Sequence, residues 1–214
     1  MPALQLEQEQ LTPLQQEIVD AVVLGEYRRV IVTAPVRQGK GVGTALAFIH
    51  RAFRRSAFYG HRDYLVAGKT VGSFHRNNAN YLIEAAQSYG LALRRYSGDA
   101  GGYRLMSGSD LIATFHLVGG GNAGSYGYLR GLTIDAAWID EATECDQQFV
   151  QVAEERLSYD GGVIVLTHNA AQATHWLKTE WIDNATPRTA IINGAFGSNP
   201  YYSCLLYTSP SPRD

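Results

Sequence analysis

The stretch Ala34-Pro35-Val36-Arg37-Gln38-Gly39-Lys40-Gly41 stands directly after the apolar run Arg29–Thr33 and directly before a helical pattern. A phosphate-binding loop needs such a turn, then Gly-Lys, then a Ser or Thr hydroxyl. Gly39 lets the backbone wrap so that successive N–H groups face phosphate oxygens, and the following helix N-terminus adds to the field. Lys40 would reach the β- and γ-phosphates, and the cradle is expected to extend from Ala34 to Val42. A plain strand-to-helix turn would also accommodate Gly39-Lys40. Two positions depart from the pattern: Ala34 stands for its first glycine, and Gly41 for the hydroxyl that binds Mg²⁺. A water is expected to take the vacated metal position, with Thr44 facing the helix interior. On that reading Gly41→Ser would lower the Mg²⁺ requirement.

The second signal is Ala136-Ala137-Trp138-Ile139-Asp140-Glu141. An apolar strand ending in two acids can set a metal-binding carboxylate, Asp140, beside a water-orienting one, Glu141. Taken alone, the pair could equally be exposed acids opening a helix. The third is Val163–Leu166 followed by Thr167-His168-Asn169. Thr167 and Asn169 either touch the γ-phosphate or the attacking water, or cap the turn after the strand. Upstream, Thr12 and Pro13 open a helix, and the amide of Gln15 either reads an adenine edge or is solvated. Lys40 and Asp140 are expected on neighbouring parallel strands, facing one cleft at the strands' carboxyl ends with Glu141 and Thr167.

The elements that must position these residues are short apolar runs separated by helical patterns. Arg29–Thr33, Tyr64–Gly68, Ala136–Ile139 and Val163–Thr167 read as buried parallel strands, and Thr189–Asn193 as a last one. Helices are expected from Lys40, over Ser73–Tyr89, Gln147–Leu157 and Ala173–Ile182. The first carries Val42, Ala45, Leu46, Ile49 and Phe53 on one stripe and Arg51, Arg54 and Arg55 away from it. Tyr103–Met106 and Leu111–Val118 read as a hairpin or edge insertion, and the glycine-rich Gly119–Ser125 as a mobile loop. The fold class is therefore α/β, a mainly parallel central sheet with helices on both faces.

Composition narrows the function classes. A net charge of -2 argues against a generally basic DNA-coating protein, while leaving room for a local basic surface. No apolar run reaches membrane-spanning length and no signal peptide opens the chain, so a cytoplasmic protein is expected. Cys145 and Cys204 are too isolated for a disulfide framework or zinc site. The run from Cys204 to Asp214, CLLYTSPSPRD, resembles a translated adapter remnant and is set aside from fold reasoning.

Several stretches together resemble the large terminase subunits of tailed phages. They are Leu11–Gln15, Tyr64–Thr70 with Ser73 and Arg76-Asn77-Asn78, and the glycine loop leading to Tyr128-Leu129-Arg130-Gly131-Leu132-Thr133. Ile139-Asp140-Glu141-Ala142, Glu155-Arg156-Leu157-Ser158 and Thr167-His168-Asn169 with His175-Trp176-Leu177-Lys178 complete the set. The resemblance implies a three-layer, additional-strand P-loop NTPase fold over residues 1–197 and a junction at 198–203, ahead of the tail set aside as non-native at 204–214. It implies ATP and Mg²⁺ as ligands, Lys40 on the phosphates, Asp140 on the metal, Glu141 as catalytic acid, and coupling through Thr167 and Asn169. An arginine often stands at the place of Arg37, which implies a phosphate-binding or coupling role there. The implied partners are double-stranded viral DNA, the portal protein, the small terminase subunit and further copies in a ring, in the host cytoplasm. The family's RNase H-like nuclease domain does not follow, so this chain is not expected to cut DNA. Rival readings are another translocating ATPase such as a helicase, a nucleotide-binding scaffold without turnover, and a capsid or tail structural protein. A helicase would normally bring a second, related α/β domain.

Overall fold

The computed structural model describes residues 11–24, 26–97 and 101–195. The expected junction at 198–203 and tail at 204–214 lie outside the described residues. Helix α1 (Pro13–Val23) begins where Thr12 and Gln15 cap each other. The Gln15 N–H donates to Thr12 Oγ1 and the Thr12 N–H to Gln15 Oε1, which satisfies two amides the helix start would otherwise leave open. There follow β1 (Arg29–Thr33), α2 (Lys40–Tyr59), β2 (Arg62–Gly68), α3 (Val71–Ser88) and β3 (Ala92–Tyr96). Then come β4 (Gly102–Ser107), β5 (Asp110–Gly119), a short α4 (Tyr126–Leu129), β6 (Ala136–Asp140), α5 (Gln147–Glu155), β7 (Val163–His168) and β8 (Thr189–Asn193).

The eight strands form one sheet in the order β3-β4-β5-β2-β6-β7-β1-β8. From β5 to β8 all neighbours are parallel, and only β3–β4 and β4–β5 are antiparallel. The apolar strand runs sort strictly by face. Val30, Val32, Tyr64, Val66, Trp138, Val163 and Val165 pack under α1, α2 and α3. Ile31, Leu65, Ala67, Ile139, Ile164 and Leu166 pack under α4, α5 and the turn carrying Leu177 and Trp181. A strand covered on both faces needs an apolar residue at every position, which is why these segments read as unbroken runs.

Two elements differ from expectation. Strand β3 is additional; its Arg94 and Arg95 are exposed, and charges on an edge strand obscure any alternation. The hairpin Gly102–Gly119 forms where expected, and its β5 joins β2 in parallel, so it extends the central sheet toward that edge. Over Ala173–Ile182 only Leu177–Ile182 is helical, as one π turn. His175 sets its start: Nδ1 accepts the Leu177 N–H and Nε2 donates to the carbonyl of Thr143, both at 3.1 Å.

Helix α2 packs against the sheet and against both α1 and α3, so a single apolar stripe describes it poorly. Thr44 to Ile49 are all buried, whereas Val42 is exposed. Arg51, expected toward solvent, is only 2% exposed. Its Nε donates to Asp135 Oδ1 at 2.8 Å, and its other nitrogens to the carbonyls of Val22 and Gly161. Arg55 pairs with the second Asp135 oxygen. A buried guanidinium is tolerable only with every nitrogen engaged in this way.

Candidate active site

The loop between β1 and α2 closes on its own lysine. Lys40 Nζ donates to the carbonyl of Ala34 at 3.0 Å, to that of Pro35 at 3.4 Å, and to Asn169 Oδ1 at 3.0 Å. The Gly39 backbone is left-handed (φ 86°), and a Cβ there would meet Gln15 Nε2 at 2.7 Å. Only glycine fits both conditions. No side chain caps the start of α2, so its first N–H groups remain available to an anion in the cleft. Burial lowers the pKa of Lys40, an effect opposed by the nearby charges of Asp140 and Glu141.

Strand β6 delivers the two acids to the same cleft. The oxygens of Asp140 are held separately: Thr167 Oγ1 donates to Oδ1 at 2.7 Å and Asn78 Nδ2 to Oδ2 at 2.6 Å. Trp138 Nε1 in turn donates to Thr167 Oγ1 at 3.0 Å, so a buried relay fixes the carboxylate. Glu141 leaves the strand with φ 53°, and Arg37 has φ 64°. They are the only non-glycine residues with positive φ among the described residues, and both line the cleft. Such strain costs about 1–3 kcal/mol and gathers at functional sites. Burial raises the pKa of Glu141, with smaller contributions from Asp140 and Glu144.

Among the expected site residues, Val36, Arg37, Gly39, Lys40, Gly41, Val42, Asp140, Glu141 and Asn169 gather in the cleft. Lys40 and Asp140 do not come from neighbouring strands, because β7 separates β1 from β6. That separating strand is the additional strand of the implied fold. Thr167 is fully buried and spends its hydroxyl on Asp140, so it positions the acid rather than facing the cleft. Gln15, at 7% exposure, caps α1 and packs under Gly39 instead of presenting its amide to a base. Ala34 and Gln38 are buried, and the former with Pro35 serves through backbone carbonyls that hold Lys40.

Position 41 differs most from expectation. The space beside it is filled: a Cβ on Gly41 would lie 2.9 Å from Asn78 Oδ1 and 3.3 Å from the Tyr81 ring. A water cannot simply take the vacated hydroxyl's place, and Gly41→Ser would press on Asn78. Thr44 does face inward, donating to the Lys40 carbonyl at 2.8 Å. Asn77, Asn78, Tyr81 and His168 also line the cleft. Of these, Asn77 and Asn78 stood within a recognised motif, but nothing local in the sequence ties them to the phosphate loop.

The chemistry of the donor set fits a hard cation carried in with phosphates. Asp140, Glu141 and Asn78 offer oxygens, and no cluster of three or more His, Cys, Asp or Glu able to hold a metal occurs among the described residues. Mg²⁺ needs few protein ligands when a nucleotide supplies the rest. Cys145 nearby is unsuited to nucleophilic chemistry, since burial pushes its thiol up to about 12.

No protein-family model matches the sequence, and no curated protein matches it. Solved structures do. The large terminase from a thermophilic bacteriophage, in complex with ADP, is similar with a TM-score of 0.80 at 21% identity, over 92% of this chain and 48% of that one. The HK97 bacteriophage large terminase gives 0.58 at 14% identity, over 85% of this chain and 39% of that one. The N-terminal domain of the DNA packaging ATPase from bacteriophage phi29 gives 0.52 at 13%, over 84% and 94%. The chain thus spans about half the length of the thermophilic phage's protein. Sheet order, helical layers and these neighbours agree that the chain has the fold of phage large-terminase ATPase domains.

Proposed function

We propose that the chain hydrolyses ATP as the motor part of a phage DNA-packaging enzyme. The carrying observation is the meeting of the Lys40 loop with Asp140 and the strained Glu141 at the carboxyl ends of β1 and β6. Supporting it, the thermophilic phage's large terminase, similar in fold, was solved with ADP and with ATP-gamma-S.

In this reading Lys40 exchanges its loop carbonyls for β- and γ-phosphate oxygens, while Gly39 and the open end of α2 offer N–H groups. A bound Mg²⁺, held through Asp140, would neutralise charge developing on the phosphates. Glu141, whose pKa is raised by burial, accepts a hydrogen bond from the attacking water and aligns it. Asn169 already touches Lys40 at 3.0 Å, so a shift of the ammonium on phosphate binding or release pulls the end of β7. Arg37 lies on the cleft rim and would contact phosphate.

The same reading assigns double-stranded DNA, a portal protein, the small terminase subunit and copies of this chain in a ring as partners, in the host cytoplasm. Among the described residues no helix is long and apolar enough to cross a membrane. Arg54, Arg94 and Arg95 are exposed and available to DNA phosphates, whereas Arg51 is buried and Arg55 half-buried on Asp135. A trans-acting arginine would come from Arg130 or Arg156. Those two meet at the amino end of β6, where Arg156 Nη1 donates to the Arg130 carbonyl, away from the chain's own cleft.

Phosphate release and equilibrium ATP binding test the proposal together. Glu141→Gln should still bind ATP while turnover falls by about 10²–10⁴-fold. Lys40→Ala should weaken ATP binding by roughly tenfold to a hundredfold, the worth of one or two charged hydrogen bonds. Binding without any phosphate release in the wild type would favour the scaffold reading. Unchanged values in both variants would remove the cleft from consideration.

A further inference from the structure

Gly41 and Asn78 belong to different elements, yet they share one space. Asn78, on α3, is 2% exposed, and its Nδ2 donates to Asp140 Oδ2 at 2.6 Å. An ionised carboxylate can only accept, so the amide nitrogen must face Asp140 and the amide oxygen must turn the other way. That oxygen sits 2.9 Å from where a Cβ on residue 41 would be. In a standard phosphate loop the side chain at this position is a hydroxyl, which gives an oxygen to the metal. A hydroxyl can also donate a hydrogen bond to a neighbouring carboxylate. The carboxamide of Asn78 offers both functions from the neighbouring helix, and glycine at 41 is what leaves it room. Thr44 offers no substitute, because its buried hydroxyl is spent on the Lys40 carbonyl.

We propose that Asn78 replaces the missing loop hydroxyl, with Oδ1 as an oxygen ligand of the divalent cation that accompanies the nucleotide and Nδ2 as the clamp on Asp140. The inference rests on the nucleotide-binding reading of the cleft given above. Amide oxygens are acceptable to Mg²⁺, which prefers hard oxygen donors, and protein kinases hold one of their two Mg²⁺ ions with an asparagine. It also accounts for a chain that keeps Gly-Lys and the Asp-Glu pair while lacking the hydroxyl between them.

The test is ATP affinity measured with Mg²⁺ and again with EDTA, so that the metal-dependent gain is read apart from hydrolysis. Asn78→Ala should lose most of that gain, on the order of tenfold, while affinity in EDTA stays near that of the wild type and certifies the fold. Asn78→Asp keeps an oxygen for the metal but loses the N–H donor and opposes a second carboxylate to Asp140, so it should recover part of the gain as Mg²⁺ is raised, which Asn78→Ala should not. Gly41→Ser should lose gain by displacing Asn78, and the double variant Gly41→Ser/Asn78→Ala should recover it. If Asn78→Ala leaves the gain intact, or Asn78→Asp recovers no more than Ala as Mg²⁺ is raised, Asn78 only positions Asp140 and the ligand assignment is wrong. Failure of the double variant to improve on Asn78→Ala would also overturn it. A wild type that binds ATP in neither buffer would instead bring down the nucleotide reading itself, and this inference with it.

Discussion

Glu141 concentrates the chemistry and the strain of this chain in one residue. Its left-handed backbone costs roughly 1–2 kcal/mol for a residue with a side chain. Burial, then the charges of Asp140 and Glu144, raises its pKa above the ordinary glutamate value. A raised acid pKa means that the folded state holds the proton more tightly than the unfolded chain. The associated stability is complete below the ordinary glutamate pKa and is lost as pH rises through the folded value. Glu141→Gln cannot lose a proton, so it should melt above the wild type near neutral pH, with the difference closing below about pH 4. Thermal melts across that range check this; a variant that melts lower at neutral pH would refute the assigned environment. The proton needed to disable the base follows the same rule, so turnover should fall on the acid side at a pH above the usual glutamate range. Lys40, Asp140, Glu141 and Asn169 were legible in the sequence because each sits at a fixed offset from an apolar strand. Asn78 was not legible as a neighbour of Asp140, because their contact spans 62 positions and depends on how α3 crosses the sheet. The use of the Thr167 hydroxyl on Asp140 escaped for a related reason: its partners Trp138 and Asp140 lie on the adjacent strand β6.

At the scale of elements, the strands covered on both faces and the alternating hairpin announced themselves, and the edge strand β3 did not. Unbroken apolar runs marked β1, β2, β6 and β7 to within two residues at either end. The edge strand β3 presents Arg94 and Arg95 and shows no pattern of its own. Helix α2 misled in the opposite direction, since burial on more than one side lets Arg51 point inward toward Asp135. That ion pair ties α2 to the segment entering β6 and should be a strong determinant of how the two meet. Asp135→Ala would leave Arg51 buried without its countercharge, a loss expected to cost about 3–5 kcal/mol. Arg54→Ala, one helical turn from Arg51 and exposed, should change stability by no more than about 0.5 kcal/mol. Urea denaturation of both variants reads the contrast. Near-equal losses would mean that the Asp135 cluster is not what orders this end of α2.

For the whole molecule, the spacing of strands along the chain says nothing about their order in the sheet, so the strand between β1 and β6 was implied by the family resemblance alone, while the local reading made Lys40 and Asp140 neighbours. Net charge conceals distribution in the same way. A value of -2 coexists with an edge hairpin on which Arg94 stands directly across from Arg104, while Arg95, the next residue along, points to the other face. Like charges opposed on neighbouring strands destabilise a hairpin. All three arginines are exposed, and Arg104 additionally rests over the Tyr96 ring. An arrangement that is unfavourable alone would become favourable against a row of phosphates, so on the proposed function this edge is expected to touch the duplex. Binding there should be independent of base sequence and should weaken steeply with salt, because each neutralised phosphate releases condensed counterions. Replacing Arg94, Arg95 and Arg104 together by alanine should therefore reduce the slope of log affinity against log salt by about 0.9 per phosphate lost. Affinity for ATP should be untouched, since none of the three lines the cleft. Duplex binding measured across a salt series with two unrelated sequences decides the matter. An unaltered slope in the triple variant would move the DNA track to another face, and a marked preference for one sequence would count against a motor that must accept any genome.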